Sequence, residues 1–169
     1  MVTACFLAVI VVLSSSFKDE ETQLPQTPSL TISKVTQTDP PCLQMYFYIE
    51  QYADSFNIPK HIAYGVAKSE TGYRGAFHWK YNHRQTSSAN AVGPMQVKVS
   101  TARWINKDNV STEKLRNNIE YNVFTSMKLL RKLYNKNRNW KTALGEYNTG
   151  NPCINGYAIK IYNHKIDWI

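Results

Sequence analysis

Apolar positions along this chain recur at three- and four-residue steps, the spacing of a helix that buries one face. From Leu43 to Phe56 the set is Phe47, Tyr48, Ile49, Tyr52 and Phe56, which predicts an amphipathic helix. Pro59 suits the first turn of a second helix. That helix carries Ile62, Val66 and Ala67 to about Glu70, and Gly72 stops it. Residues 71–92 are rich in Gly, Asn, Ser and His and read as one long loop. Such loops are uncommon in compact domains unless they serve a function. A third helix is expected from Pro94 to Ile105. The longest is expected from Thr112 to Asn135, with Ile119, Val123, Met127, Leu130 and Tyr134 on its buried face. Two shorter helices fit Trp140–Tyr147 and Tyr157–Asn163. No convincing run of alternating strand residues occurs, and no internal repeat. The pattern predicts a mainly α single domain.

The N-terminal part is patterned differently. Residues 17–41 are rich in Thr, Gln, Ser and Pro and show no periodicity, so they read as a linker, with the folded domain spanning 42–169. Before them, Phe6–Leu13 is an unbroken apolar run followed by Ser14, Ser15 and Ser16. It is too short to cross a membrane as a helix. Residues 1–16 resemble a secretory signal with small residues at a cleavage point. No basic residue precedes the run, so an uncleaved N-terminal anchor fits as well. The apolar run follows Cys5 instead of preceding it, which argues against a lipoprotein signal.

Removal of such a signal leaves Cys42 and Cys153. In an exported protein an even pair suggests a disulfide, but spacing alone leaves the bridge and two separate thiols equally open. No Cys-x-x-Cys or His-x-x-x-His spacing supports a metal site.

Charge narrows the partners. The chain has 20 basic and 12 acidic residues, a net charge of +8, with 43% hydrophobic residues. Residues 18–41 hold two lysines against four acids, so the surplus lies in the rest of the chain. A basic balance favours anionic partners. The basic residues are spread out, without a Lys/Arg block or a basic-aromatic period, which argues against nucleic acid. Lys128, Arg131, Lys132 and Lys136 read most simply as a solvated helix face.

Glu70 is the candidate for chemistry. It ends a helix and precedes a glycine and a long polar, aromatic loop. A carboxyl at the mouth of a cleft with one apolar side has a raised pKa and can act as a general acid. By position alone, a solvated helix-end glutamate is the favoured reading. From Thr71 to Lys107 there is no Asp or Glu at all. Glycosidases that use two carboxylates need a second one close to the first. Glu113, Glu120 and Glu146 remain as distant candidates.

Three motifs then follow in order: Ser69-Glu70-Thr71-Gly72-Tyr73, Ala91-Val92-Gly93-Pro94-Met95-Gln96-Val97 and Glu146-Tyr147-Asn148-Thr149-Gly150. Together they resemble the soluble lytic transglycosylases with an SLT domain, a branch of the lysozyme-like superfamily related to goose-type lysozyme. Asn118-Ile119 through Asn122-Val123 to Leu129-Leu130 is similar to the family's long central helix. Tyr157-Ala158-Ile159-Lys160-Ile161 is similar to its closing segment. The resemblance covers about Cys42 to Asn163.

It implies a lysozyme-like fold with a catalytic groove. Glu70 matches the catalytic acid, which later serves as base. Gln96 matches the glutamine that lines the sugar groove, and Tyr147 and Asn148 match a motif whose tyrosine lies close to the acid. Ser87 matches a serine that contacts the muramoyl sugar, with Ser88 as its neighbouring alternative. Met95 is a packing or groove-lining residue in the same set. The chain departs from the pattern at Thr71, where the family usually has serine, at Pro94, where leucine is commoner, and at Ser126, where a glycine is expected. The loop between Glu70 and Ser87 is longer than usual and carries Arg74, Phe77, His78, Trp79, Tyr81, His83 and Arg84. Trp79, Trp104 and Trp140 suit either sugar stacking or the core.

The activity implied is cleavage of the β-1,4 bond between N-acetylmuramic acid and N-acetylglucosamine, leaving a 1,6-anhydro ring, a reaction that needs no metal or cofactor. Two alternatives stay open: a muramidase similar to goose-type lysozyme, and a non-catalytic peptidoglycan-binding subunit of a wall-spanning assembly. The partner implied is the peptidoglycan glycan strand, met by a monomer in the periplasm or cell envelope. Wall turnover, secretion, conjugation and phage assembly all suit such a chain.

Overall fold

A computed structural model describes residues 34–166. The expected export segment, the linker up to residue 33 and Trp168 lie outside the described residues. Among those described, seven helices carry the fold. They are α1 (Pro41–Ser55), α2 (Lys60–Thr71), α3 (Val99–Asn106), α4 (Thr112–Asn117), α5 (Ile119–Asn137), α6 (Trp140–Thr149) and α7 (Gly156–Tyr162). The mainly α reading of the sequence is thus the architecture observed.

Local chemistry explains most helix ends. Ser111, Asn118, Asn139 and Asn155 each accept the backbone N–H of the residue three positions on, in the helix that follows. Gly72 and Gly150 close α2 and α6 in the left-handed conformation that glycine adopts without cost. Pro41 opens α1 at a position where no N–H is needed.

α5 lies at the centre and packs against α1 and α6. Val123, Met127 and Leu130 on its inner face are fully buried, as the periodicity predicts. Each such side chain contributes roughly 1.5–3 kcal/mol of burial. α7 closes over α2 and α6. Gly65 allows that approach, since an added Cβ would lie 2.9 Å from Ile161 Cγ2. Gly145 does the same for α6, where a Cβ would meet the Cys153 carbonyl oxygen at 1.9 Å.

Two expectations need correction. The helix expected over 112–135 is two helices, because Asn118 is extended (ψ 99°) and turns its side chain to cap α5. An asparagine that can cap competes with continuing the helix. The helix expected from Pro94 starts only at Val99. Instead, Ala91–Val92 (β1) and Val97–Lys98 (β2) pair antiparallel, with Val92 opposite Val97, and residues 93–96 form the connecting turn. Gly93 and Gln96 both have positive φ, 79° and 48°, which no helix tolerates.

The long loop after α2 is held from behind by rings. Tyr73 stacks on Tyr64 with centroids 6.3 Å apart and meets Tyr81 edge-on at 5.1 Å. The Tyr73 hydroxyl donates to the Cys42 carbonyl oxygen at 2.9 Å. Cys42 and Cys153 are both free thiols. Residues 34–40 form a turn in which Val35 is buried, and Gln44 donates its amide to the carbonyls of Gln37 and Asp39.

Candidate active site

The Gly93–Gln96 turn is pinned from three helices. Thr71, on the last turn of α2, donates its hydroxyl to the Pro94 carbonyl at 2.8 Å, with the Tyr81 hydroxyl 2.8 Å away on its other side. Asn122 of α5 is fully buried; its Oδ1 accepts Met95 N–H at 2.9 Å, and its Nδ2 donates to the carbonyls of Val92 and Leu115, each at 2.9 Å. Tyr147 of α6 donates its hydroxyl to the Met95 carbonyl at 2.8 Å. A Cβ on Gly93 would stand 2.4 Å from Asn122 Nδ2, so the clasp requires glycine there. This clamping sets the end of α2 against the turn.

The result is a cavity of about 330 Å³ that brings together Glu70, Ser87, Gln96, Tyr147 and Asn148, with Lys98, Thr101 and Leu129 also on its walls. Five of the six residues singled out in the sequence therefore share one lining. Met95 does not; its side chain is fully buried in the core, and only its backbone serves the turn. A side chain at the middle of a turn clasped by Asn122 and Tyr147 points inward, so Met95 packs and does not line. Ser88, the alternative to Ser87, is exposed and outside the lining.

Among the described residues, Glu70 is the single carboxyl group lining this cavity. The distant acids are engaged elsewhere. Glu113 pairs with Arg116 and Asn117 on α4. Glu120 accepts the Tyr52 hydroxyl at 2.9 Å. Glu146 is buried and holds Lys136 and Asn137, each at 2.6 Å.

Glu70 is half-buried, and Tyr157 of α7 donates its hydroxyl to Oε1 at 2.5 Å. Burial pushes the Glu70 pKa above its ordinary value, and the Tyr157 hydrogen bond to the charged form offsets part of that rise. The Tyr147 and Tyr157 hydroxyls are themselves pushed up, first by burial and then by the nearby Glu70 charge, so both stay protonated. The donor to the carboxyl is thus a neutral hydroxyl, and no described residue forms an ion pair with it.

The polar groups around it have defined capacity. Gln96 Nε2 donates to Gly93 O at 2.9 Å and Gln85 O at 3.1 Å, which leaves its acceptor oxygen for a ligand. Gln96 holds this place in a left-handed conformation that costs a non-glycine residue about 1–3 kcal/mol, a strain typical of functional positions. Ser87 Oγ accepts Ala91 N–H at 3.1 Å and keeps its own hydrogen to donate. Asn148 Oδ1 accepts from Asn155 at 3.2 Å, leaving its amide hydrogens. Such a rim supplies donors and acceptors of the kind that hydroxyls and acetamido groups of sugars need.

Two contributors were not assigned a role from sequence. Tyr157 lies 87 residues from Glu70, and only the likeness of its segment pointed to it. Ser126, noted as a departure, stands 2.9 Å from the Tyr147 hydroxyl, whose hydrogen goes to Met95 O, so the serine is the donor. Of the tryptophans, Trp140 stacks on Tyr134 at 4.3 Å, while Trp79 and Trp104 are exposed. His78 and His83 are half-buried loop residues outside the cavity. Among the described residues, no group of three or more His, Cys, Asp or Glu side chains could hold a metal ion.

The family profile of the transglycosylase SLT domain matches residues 47–168. No curated protein matches the chain. Solved structures do. The lytic transglycosylase Slt from Pseudomonas aeruginosa, an inactive mutant, is 19% identical, with a TM-score of 0.50 over 62% of this chain and 16% of its own. The 70 kDa soluble lytic transglycosylase from Escherichia coli is 20% identical, with a TM-score of 0.53 over 69% of this chain and 18% of its own. A 70 kDa soluble lytic transglycosylase in complex with bulgecin A gives 20% and 0.54 over the same shares. At these identities the likeness is one of fold. The chain spans less than a fifth of the length of those proteins.

Proposed function

The chain belongs to the transglycosylase SLT domain family, and from that premise we propose that it is a peptidoglycan lytic transglycosylase in which Glu70 is acid and then base. The observation that carries this reading is the lone carboxyl: Glu70 is half-buried, raised in pKa, and unaccompanied by a second acid in its cavity among the described residues. Hydrolases with two carboxylates use the second as nucleophile or to activate water. A single carboxyl suits a reaction in which the substrate supplies both nucleophiles.

In the proposed sequence, the polymer lies across the cavity with the muramoyl sugar over Glu70. Oε1 is occupied as acceptor by Tyr157, so the acidic proton rides on Oε2. It passes to the glycosidic oxygen between N-acetylmuramic acid and N-acetylglucosamine, and the C1–O bond breaks through an oxocarbenium-like transition state. The substrate's acetamido carbonyl stabilises C1. Glu70 is then a carboxylate, which the Tyr157 hydroxyl stabilises, and it takes the proton from the muramoyl 6-hydroxyl. That oxygen closes on C1 as a 1,6-anhydro ring. The proton lost in the first step is regained in the second, so the enzyme is restored without water. Gln96, Ser87 and Asn148 hold the sugars through the acceptor and donor groups left to them.

The substrate lies outside the cytoplasmic membrane, so the proposal includes export to the periplasm or cell envelope by residues 1–16. It also includes action as a monomer, in wall turnover or beside a secretion, conjugation or phage assembly. Mass spectrometry of muropeptides from purified wall tests the chemistry. Anhydro products, one water lighter than hydrolysis products, are expected. Reducing muramic ends point instead to a muramidase, and strand binding without products to a non-catalytic wall-binding subunit.

A further inference from the structure

The loop after α2 turns two aromatic rings out into water. Phe77 is 65% exposed and Trp79 61%, more than any other large hydrophobic side chain among the described residues. Their rings meet edge to face with centroids 6.0 Å apart, so they form one patch. The backbone holds them there. His78 N–H donates to Gly75 O at 3.2 Å, Trp79 N–H to Phe77 O at 2.9 Å and Tyr81 N–H to His78 O at 2.8 Å. Ala76 and Tyr81, on either side of the pair, are buried. Tyr81 packs against Tyr73 and His78 at 5.1 and 5.6 Å between centroids. The base of the loop is thus tied to the body while its tip projects. Exposed apolar patches of this kind mark surfaces that meet a partner.

The charge around the tip says which partner. Arg74 and Lys80 flank the rings and are exposed. Neither forms an ion pair with a described residue. No Asp or Glu occurs between Thr71 and Lys107 to offset them. Neither ring lines the Glu70 cavity, and the two planes stand at 64° to each other, whereas a sugar platform presents one flat face to a groove. Protruding rings between unpaired cations match the boundary of a lipid bilayer. There Trp and Phe enter below the headgroups, and Lys and Arg stay among the phosphates. We propose that the Phe77–Trp79 tip docks the protein on an anionic phospholipid surface, with Arg74 and Lys80 on the headgroups. No described helix is long and apolar enough to cross a membrane, so this contact is peripheral. Tyr73 stacks on Tyr64 of α2 at 6.3 Å, so a docked tip also fixes the end of α2, and Glu70 with it, relative to the bilayer.

The full chain is sedimented with vesicles of phosphatidylethanolamine and phosphatidylglycerol, and with vesicles of phosphatidylcholine alone. Binding to the anionic vesicles is expected to be about tenfold stronger, the effect of one or two cations at a charged surface. It should weaken as salt rises past about 0.1 M, where charges more than about 10 Å apart are screened. Phe77→Ala with Trp79→Ala is expected to weaken binding about tenfold or more, and Phe77→Leu with Trp79→Phe to keep most of it. Arg74→Ala with Lys80→Ala should abolish the preference for anionic lipid. Brominated lipid should quench the tryptophan fluorescence of the wild type and not that of Trp79→Phe. Cleavage of purified wall, and strand binding, should be unchanged in Phe77→Ala with Trp79→Ala. Vesicle binding that this double variant keeps, or that is equal on neutral lipid, overturns the proposal. Loss of wall cleavage or strand binding in the double variant assigns the rings to glycan and overturns it too. So does self-association of the wild type that the double variant loses, which assigns them to a second copy. Glu70→Gln should bind vesicles as the wild type does, so failure of the proposed chemistry leaves this comparison intact.

Discussion

Glu70 on α2 and Glu146 on α6 are two glutamates withdrawn from water, yet their surroundings drive them in opposite directions. Glu70 meets a neutral tyrosine hydroxyl, and burial wins, so its pKa rises. Glu146 meets burial as its largest single influence too, but the Lys136 ammonium and the Asn137 amide together outweigh it, and its pKa falls. Burial alone therefore does not make an acid; burial without a cation does. The two sites also differ in what they do for the fold. Glu146 ties α6 to the end of α5, whereas Glu70 is held on the lip of a cavity by α7.

The comparison breaks most visibly at Glu70. Glu70→Gln is expected to lower turnover about a thousandfold or more, the scale of losing a general acid and base. The same substitution is expected to raise the melting temperature near neutral pH. A group whose folded pKa is raised stabilises the fold fully below its ordinary value of 4.5, and that contribution is lost as pH rises through the raised value. The gain in Glu70→Gln should therefore shrink in acid. A variant that melts lower than wild type at neutral pH contradicts the assignment.

Tyr157→Phe sharpens the contrast. It removes a hydrogen bond that favours the carboxylate, so the Glu70 pKa should rise further and the basic limb of the pH–rate profile should move to higher pH. Turnover should fall about tenfold, the loss of one charge-assisted bond in the second step. A basic limb that stays in place dissociates Tyr157 from the carboxyl. Thr71→Val should lower activity by a similar or smaller factor by releasing the Pro94 carbonyl, and Thr71→Ser should keep it.

At Glu146 the signs reverse. Its lowered pKa contributes stability above 4.5 that is lost as pH falls through the folded value. Glu146→Gln should cost about 1 kcal/mol at neutral pH, modest because Lys136 is well exposed. The difference should vanish in acid, and turnover should be kept. Lys136→Met should raise the Glu146 pKa toward Glu70-like behaviour, read by carboxyl NMR titration. An unmoved titration shows that the cation is not what holds it down.

The sequence alone determined those features that depend on neighbours within about four residues. Helix starts and stops at Pro41, Gly72, Asn139 and Gly150 are local hydrogen-bond and φ requirements, and the buried face of α5 is a matter of spacing. Glu70 at the end of α2 and the order of the three motifs were legible for the same reason. The break at Asn118 was legible in principle, as an asparagine before an apolar run, but continuous periodicity masked it. The tertiary structure decided the rest. Residues 93–96 became a turn because Thr71, Asn122 and Tyr147 hold them from three helices, which no local pattern announces. Met95 turned inward for that reason. Tyr157 reached Glu70 across 87 residues because α7 folds back over α2. Lys136 beside Glu146, and burial without an ion-pair partner at Glu70, made one carboxyl a structural anion and the other a candidate acid, because a group's surroundings are set by packing.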